Sequence, residues 1–323
     1  MTGSSGIETP VAERRSALLL VRTPFQAWIA ERILRAEDVS EYELLYFTQH
    51  DAAEDRYYFA HLAEDCALAK YCYAPVRPLD ALGYLDFLWQ ARSFMRDRRK
   101  QLTMLASIDD YVFAAIAKRQ HEAQLITFDD GTANYFERSI YHIDRPNRRG
   151  KLYRRVLGSY DVTEIRRNSL RHYTLHKHFE NIVDAARLRG IELDYSSSST
   201  AGGPPVTFFI GDPFSQVFNE DQIARFTRYV EGMNLDFYVQ HPREAKPLPL
   251  GAKVLEKDGR IAEQAIIEAS KGRPIHLVGS FTSVLFNMSD IATRKTMLLP
   301  ADDIESEGRR RLAVRADIEV ALV

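Results

Sequence analysis

Residues 195–210 read Tyr-Ser-Ser-Ser-Ser-Thr-Ala-Gly-Gly-Pro-Pro-Val-Thr-Phe-Phe-Ile. The first eleven, Tyr195–Pro205, contain four serines, two glycines and two prolines, a composition that sustains neither helix nor central strand. The next five, Val206–Ile210, form a short apolar run closed by Gly211, the pattern of a buried strand. A breaker of this length followed at once by a buried strand divides the chain. It predicts an N-terminal domain over 1–198, a linker over 199–205 and a C-terminal domain over 206–323. An irregular loop inside one domain is the plainer alternative.

Both flanks of this stretch alternate between strand and helix patterns. On the N-terminal side, Ser16–Val21 (SALLLV) reads as a buried strand and Phe25–Ala36 has helical spacing. Glu41–Thr48 (EYELLYFT) is strand-like, Leu79–Ala106 long and mostly helical, Tyr111–Gln124 helical, and Gln124–Phe128 (QLITF) a buried strand. On the C-terminal side, helices are predicted over Asp221–Met233 and Arg260–Ser270. Strands are predicted over Asp236–Gln240 and Pro274–Val278. This alternation predicts an α/β fold of two parallel-sheet halves, with the ligand in the cleft between them. Ala301–Val323 mixes acidic and basic runs and reads at most as a return helix.

Composition sets the outer bounds. The chain has 323 residues, 45% of them hydrophobic, and 43 Lys+Arg against 45 Asp+Glu, which suits an ordinary folded protein of one or two domains. Disordered, fibrous and disulfide-scaffold classes are excluded, and a net charge of -2 gives no global reason for nucleic-acid binding. The two cysteines, Cys66 and Cys72, lack zinc-knuckle spacing and are expected reduced, as in a cytoplasm. The polar, acid-containing N-terminus does not read as a secretory signal, and no apolar run approaches the ~20 residues of a membrane span. Charge is nevertheless uneven: Arg145–Arg189 holds twelve Lys+Arg and four Asp+Glu. That excess reads either as a solvated loop leading into a basic helix, or as contact with an anionic membrane surface or glycolipid.

Signatures of P-loop NTPases, dinucleotide dehydrogenases, zincins and α/β-hydrolases are absent from the sequence. Three constellations instead leave the ends of predicted strands, where α/β proteins place their chemistry. Phe128-Asp129-Asp130-Gly131-Thr132 follows QLITF. Along extended backbone one carboxylate can cap the turn while the other faces the cleft as a general base; an Asp-Gly turn is the ordinary alternative. His241-Pro242-Arg243 follows DFYVQ, and the proline holds His241 extended, able to donate to a leaving phosphate. Gly279-Ser280-Phe281-Thr282-Ser283 follows PIHLV and opens a helix whose amides and Thr282/Ser283 hydroxyls suit a phosphate; simple capping is the alternative.

Glu263, on the helix before that last strand, suits the hydroxyls of a ribose, with Glu268 as its rival. Two weaker features are Gly211-Asp212-Pro213-Phe214-Ser215, a backbone cradle for part of a nucleotide, and Thr23-Pro24-Phe25-Gln26, which places Thr23 and Gln26 toward an acceptor. His172, His176 and Glu180 fall at i, i+4 and i+8 of an expected helix, where a solvated basic face outweighs a zinc site.

The acidic-acidic-Gly, His-Pro and Thr-Ser motifs in this order, with TPFQ after the first strand, FDDGTANY and SFTSVLFN, resemble the bacterial sialyltransferases of glycosyltransferase family 52. The resemblance spans about Leu18 to Asn287. It implies a GT-B fold, two Rossmann-like domains around a cleft, and inverting, metal-independent transfer of sialic acid from CMP-sialic acid. It implies Asp130 as the base, with Asp129 beside it on the acceptor side. It further implies His241 at the departing phosphate, Thr282 and Ser283 binding that phosphate, and Glu263 at the ribose. The acceptor is then a terminal galactose of a surface glycan such as a lipooligosaccharide. The setting is cytoplasmic, with peripheral contact to the inner membrane through Arg145–Arg189; a homodimer is compatible. A UDP-sugar transferase, a polysialyltransferase and a non-catalytic nucleotide or glycan binder are the other readings.

Overall fold

A computed structural model describes residues 15–74, 81–96, 98–191, 202–244, 247–303 and 305–323. Among these, seven strands form one sheet: β1 (Arg15–Val21), β2 (Val39–Thr48), β3 (Leu68–Tyr73), β4 (Leu102–Leu105), β5 (Gln124–Phe128), β6 (Ser169–Thr174) and β7 (Leu188–Gly190). Six form a second: β8 (Val206–Ile210), β9 (Phe237–Val239), β10 (Lys253–Val254), β11 (Ile275–Gly279), β12 (Arg294–Leu299) and β13 (Glu319–Leu322). The orders are β3-β2-β1-β4-β5-β6-β7 and β10-β9-β8-β11-β12-β13, and every pairing is parallel. Each sheet starts at its centre, builds outward through its second and third strands, then crosses back to the other side. This is the doubly wound order of dinucleotide-binding domains, and two such domains face to face are the expected GT-B arrangement.

Helices cover both sheets. The first carries α1 (Pro24–Ala36), α2 (Ala53–Ala63), α3 (Ala81–Ala91), α4 (Tyr111–Arg119), α5 (Arg148–Leu157) and α6 (Val162–Asn168). The second carries α7 (Phe214–Val217), α8 (Glu220–Glu231), α9 (Ala262–Ser270), α10 (Ser283–Asn287) and α11 (Ser306–Arg315). Burial on both faces explains why the central strands are runs of apolar residues and do not alternate with polar ones. In β1, Leu18 and Leu20 enter one core while Ala17, Leu19 and Val21 enter the other. In β8, Val206, Phe208 and Ile210 face one core and Phe209 the opposite one.

Three expectations are corrected. The long helix predicted over Leu79–Ala106 is α3 followed by β4, four fully buried residues beside β1. The basic stretch is more than a loop leading into one basic helix: α5 is followed by α6, β6 and β7. The C-terminal stretch adds β13 to the second sheet after α11. The first sheet ends at Gly190 and the second begins at Val206; residues 192–201, which include the first three positions of the predicted linker, lie outside the described residues.

The domains touch on both flanks of the cleft. On one, Tyr58 of α2 accepts the Ile261 backbone N–H at 3.2 Å and donates to Gln264, while Lys257 pairs with Glu54 at 2.5 Å. On the other, Tyr135 and Phe179 of the first domain sit in the second domain's core, and Phe136 lies 5.9 Å from Phe281.

Candidate active site

The point where a doubly wound sheet changes direction leaves a crevice beyond its strand ends. In the first domain that point lies between β1 and β4. A cavity of about 250 Å³ opens there, lined by Arg22, Thr23, Ser107, Asp109, Asp130 and Tyr141 among others.

Asp130 leaves β5 half-buried at this cavity. It accepts hydrogen bonds from the Tyr141 hydroxyl and from the Gln26 amide. Burial pushes its carboxyl above the usual range, against those two donors and the nearby Arg22 guanidinium. A carboxylate of raised basicity facing a cavity is what a general base requires. Gln26 is fully buried, so it sits behind Asp130 and not on the acceptor side. Its side-chain N–H also donates to Ser107 at 2.8 Å, and its carbonyl accepts the Arg22 N–H at 2.8 Å. Thr23 keeps its predicted place at the cavity while capping α1.

Asp129 is also displaced from the acceptor side. Side chains alternate along β5, so when Asp130 faces the cavity Asp129 turns inward. It is fully buried and accepts from Tyr135, from His172 at 3.0 Å and from the Leu175 N–H at 2.8 Å. Burial raises its carboxyl, but His172 and the other donors outweigh that and hold it below the usual range. His172 stands on β6, not on a helix, and bridges Thr127 (2.8 Å) and Asp129. His176 is buried too, between Tyr135 and Phe179, so the predicted solvated histidine face does not exist. Among the described residues, no group of three or more His, Cys, Asp or Glu is arranged to hold a metal.

Removing the Asp129 carboxylate strands the buried Tyr135 and His172 donors and the Leu175 N–H. Asp129→Ala is expected to cost about 3–5 kcal/mol of stability, read by urea unfolding; a loss below about 1 kcal/mol would contradict this role. Because its folded pKa is depressed, this stabilisation is present above the ordinary carboxylate pKa. It is lost as pH falls through the lower folded value.

The second domain supplies the opposite wall. His241 follows β9, half-buried, and its Nδ1 accepts the Arg243 N–H at 3.0 Å. The neutral ring therefore carries its proton on Nε2, an assignment made from this hydrogen bond. Burial, then Arg243, Lys257 and His50, lower its pKa to about 4, so the ring is neutral at pH 7. Glu244 is buried beneath it, receiving the His241 N–H at 3.3 Å and the Tyr238 hydroxyl at 2.5 Å. Pro242 is exposed in the intervening turn.

Gly211 makes no cradle. Its N–H is bound to the Val239 carbonyl at 2.8 Å, and a side chain there would strike Glu244 and Tyr238. The next residue, Asp212, is raised by burial against a hydrogen bond from buried Ser280. Gly279 is required by packing, since a Cβ would lie 3.1 Å from that of Ile210. Thr282 and Ser283 are half-buried at the start of α10, and the Thr282 hydroxyl makes no capping bond. Gly131, at φ 109°, lies so close to Ser283 that a Cβ there would approach within 3.2 Å of the serine's. The acidic motif and the hydroxyl pair therefore meet across the cleft. Glu263, in the first turn of α9, is buried, raised by that burial, and accepts from Asn287 at 2.7 Å.

Arg22, Ser107, Asp109, Tyr141 and Glu244 were not singled out from sequence. Arg22 is held protonated, despite burial, by Asp110, Asp109 and Asp130. Asp109 lines the cavity, and burial lifts its pKa to about 6. A usable signal was the run Ser107-Ile-Asp-Asp110, acidic residues after an apolar stretch like those after β5.

Known proteins resemble this chain in sequence and in fold. The profile of Glycosyltransferase family 52 matches residues 40–302. A Pasteurella multocida protein named CMP-N-acetylneuraminate:beta-galactoside alpha-2,3-sialyltransferase is 30% identical over 236 residues, covering 70% of this chain and 73% of its own. A Haemophilus influenzae N-acetyllactosaminide alpha-2,3-sialyltransferase is 23% identical over 272 residues, covering 84% and 88%. In fold, the glycosyltransferase SnogD from Streptomyces nogalater superposes with a TM-score of 0.51 at 15% identity, covering 96% of this chain and 87% of its own. With its doubly wound domain pair and a family match across most of its length, the chain belongs to glycosyltransferase family 52.

Proposed function

We propose that this glycosyltransferase moves sialic acid from CMP-sialic acid to the terminal galactose of a bacterial surface glycan, with inversion and without a metal. The observation that carries the reading is the meeting of Gly131 with Ser283, which brings the segment bearing the cavity-facing Asp130 against the second domain's hydroxyl pair. The named relatives support the same sugar and acceptor class.

The acceptor hydroxyl attacks the anomeric carbon from the Asp130 side and gives its proton to that carboxylate. The bond from that carbon to the phosphate oxygen breaks on the opposite side, and CMP departs. His241 Nε2–H and the Thr282 and Ser283 hydroxyls donate to the phosphate as its charge grows. An arriving phosphate also favours protonation of His241, whose unliganded pKa is about 4. One phosphate carries less charge than a diphosphate, so hydroxyls and one imidazole are adequate partners without a divalent ion. Glu263 receives the ribose hydroxyls, with the buried, unpartnered Asn287 Oδ1 as a further acceptor.

A second reading of the base rests on Asp212. Its carboxyl is raised and hydrogen-bonded to Ser280, at the strand ends that also hold His241. The setting we propose is the cytoplasmic face of the inner membrane, with the basic segment 145–189 toward the bilayer. Among the described residues no helix is long and apolar enough to cross a membrane.

Thermal unfolding with CMP, CDP, UMP and UDP tests the nucleotide. At 100 times its dissociation constant a ligand stabilises by about 2.7 kcal/mol. Stabilisation by cytidine nucleotides alone is expected; stabilisation by UDP alone would overturn the donor.

A further inference from the structure

Helix α5 belongs to the basic segment, which the chemistry above does not use, and it packs on Tyr111, two residues after the cavity-lining Asp109. Asn147 caps its start by accepting the Gly150 N–H at 2.9 Å, and Gly158 ends it in the left-handed region at φ 63°. Its inner face is set by Gly150, where a Cβ would collide with the Tyr111 hydroxyl of α4. One turn on, Arg154 pairs with Asp144 at 2.7 Å and lies over the Tyr111 ring. With Gly150 and Arg154 inward, the positions facing outward are those near Leu152 and Val156.

Those two residues are 62% and 72% exposed and stand one turn apart, so they form a single apolar strip. Arg148 and Arg155 flank the strip on one side and Arg149 on the other; Lys151 and the 44% exposed Tyr153 lie further out, and all the cations named are exposed. The helix contains no acidic residue. Scattered exposed apolar residues are ordinary, but an apolar strip ringed by cations with long aliphatic stems is the make-up of a helix lying in a lipid headgroup layer. The strip is also small for a protein partner, since a stable protein interface covers roughly 800 Å² on each side. Ile140, 59% exposed, lies on the cavity wall, and residues 141–147 join it to α5.

We propose that the outward face of α5 docks on an anionic phospholipid surface, with Leu152 and Val156 entering the headgroup layer and Arg148, Arg149, Lys151 and Arg155 meeting lipid phosphates. This rests on the reading above only for its purpose, which is to bring a lipid-borne glycan to the mouth of the acceptor cavity. Docking itself does not depend on which sugar is transferred.

The test is co-sedimentation of the full chain with phosphatidylcholine vesicles, with and without phosphatidylglycerol, alongside transfer to a soluble galactoside. Binding is expected only with the anionic lipid and is expected to weaken as salt rises. Arg148→Ala/Arg155→Ala should reduce it by about tenfold or more, and Leu152→Glu/Val156→Glu should abolish it. Both variants should retain the transfer rate on the soluble acceptor, which also shows that they fold. Failure of the native chain to bind anionic vesicles, or equal binding by both variants, would overturn the proposal. So would binding to polyglutamate with none to vesicles, which would indicate an acidic protein partner. Vesicle binding by a chain that transfers no sialic acid would leave the docking face standing and remove the sialyltransferase reading instead.

Discussion

Asp130→Asn is expected to lower turnover by about 10²–10⁴-fold while leaving CMP affinity near that of the native chain. The asparagine keeps the volume and can still meet Gln26 and Tyr141, but it cannot take the acceptor's proton. In the proposed arrangement the nucleotide lies with the other domain's His241 and Thr282/Ser283, so a loss confined to turnover is the signature of a base. Asp212→Asn is the paired control. If the Asp212 variant loses turnover to that extent with CMP binding retained, and the Asp130 variant does not, the base belongs to the second domain.

His241→Ala carries the second large effect, roughly a 10²–10³-fold loss in turnover, as for removal of one preorganised donor to developing charge. Two neighbouring groups permit a finer control. Glu244 holds the His241 backbone N–H, and Arg243 donates to Nδ1 and so fixes the tautomer. Glu244→Gln keeps an acceptor for that N–H and should cost far less than His241→Ala. Comparable losses from both substitutions would mean that the turn, not the imidazole proton, carries the effect.

Much of the site was legible because its chemistry leaves strands at marked points. QLITF runs into Asp-Asp-Gly, DFYVQ into His-Pro and PIHLV into Gly-Ser. In each case a glycine or proline shows where the strand must stop. The direction of each side chain was not legible, because it depends on strands that pair only in three dimensions. Asp129 and Asp130 could exchange roles on sequence alone. The presence of His172 on the adjacent β6 turns Asp129 inward and leaves Asp130 to the cavity.

The misread elements have separate physical causes. In β4, four consecutive residues are buried on both faces, so no alternation separates the strand from the helical pattern before it. Ser107 and Asp109, just beyond β4, were lost with it. His172 and His176 have helical spacing in sequence. They nevertheless lie on a strand and the loop after it, because hydrogen bonding to β5 overrides a local period. Gln26 follows the first strand as a polar residue beside Thr23. Only the fold shows that it points into the domain, where it holds the Asp130 carboxylate instead of facing an acceptor.

The most direct measurement of the transfer is incubation of the purified chain with CMP-sialic acid and a β-galactoside in the presence of EDTA, following CMP release and the sialylated product together. Equal amounts of CMP and a sialylated galactoside are expected, formed at a rate that added divalent ions do not raise. No release of CMP with any galactoside, together with consumption of a UDP-sugar by the same preparation, would contradict it.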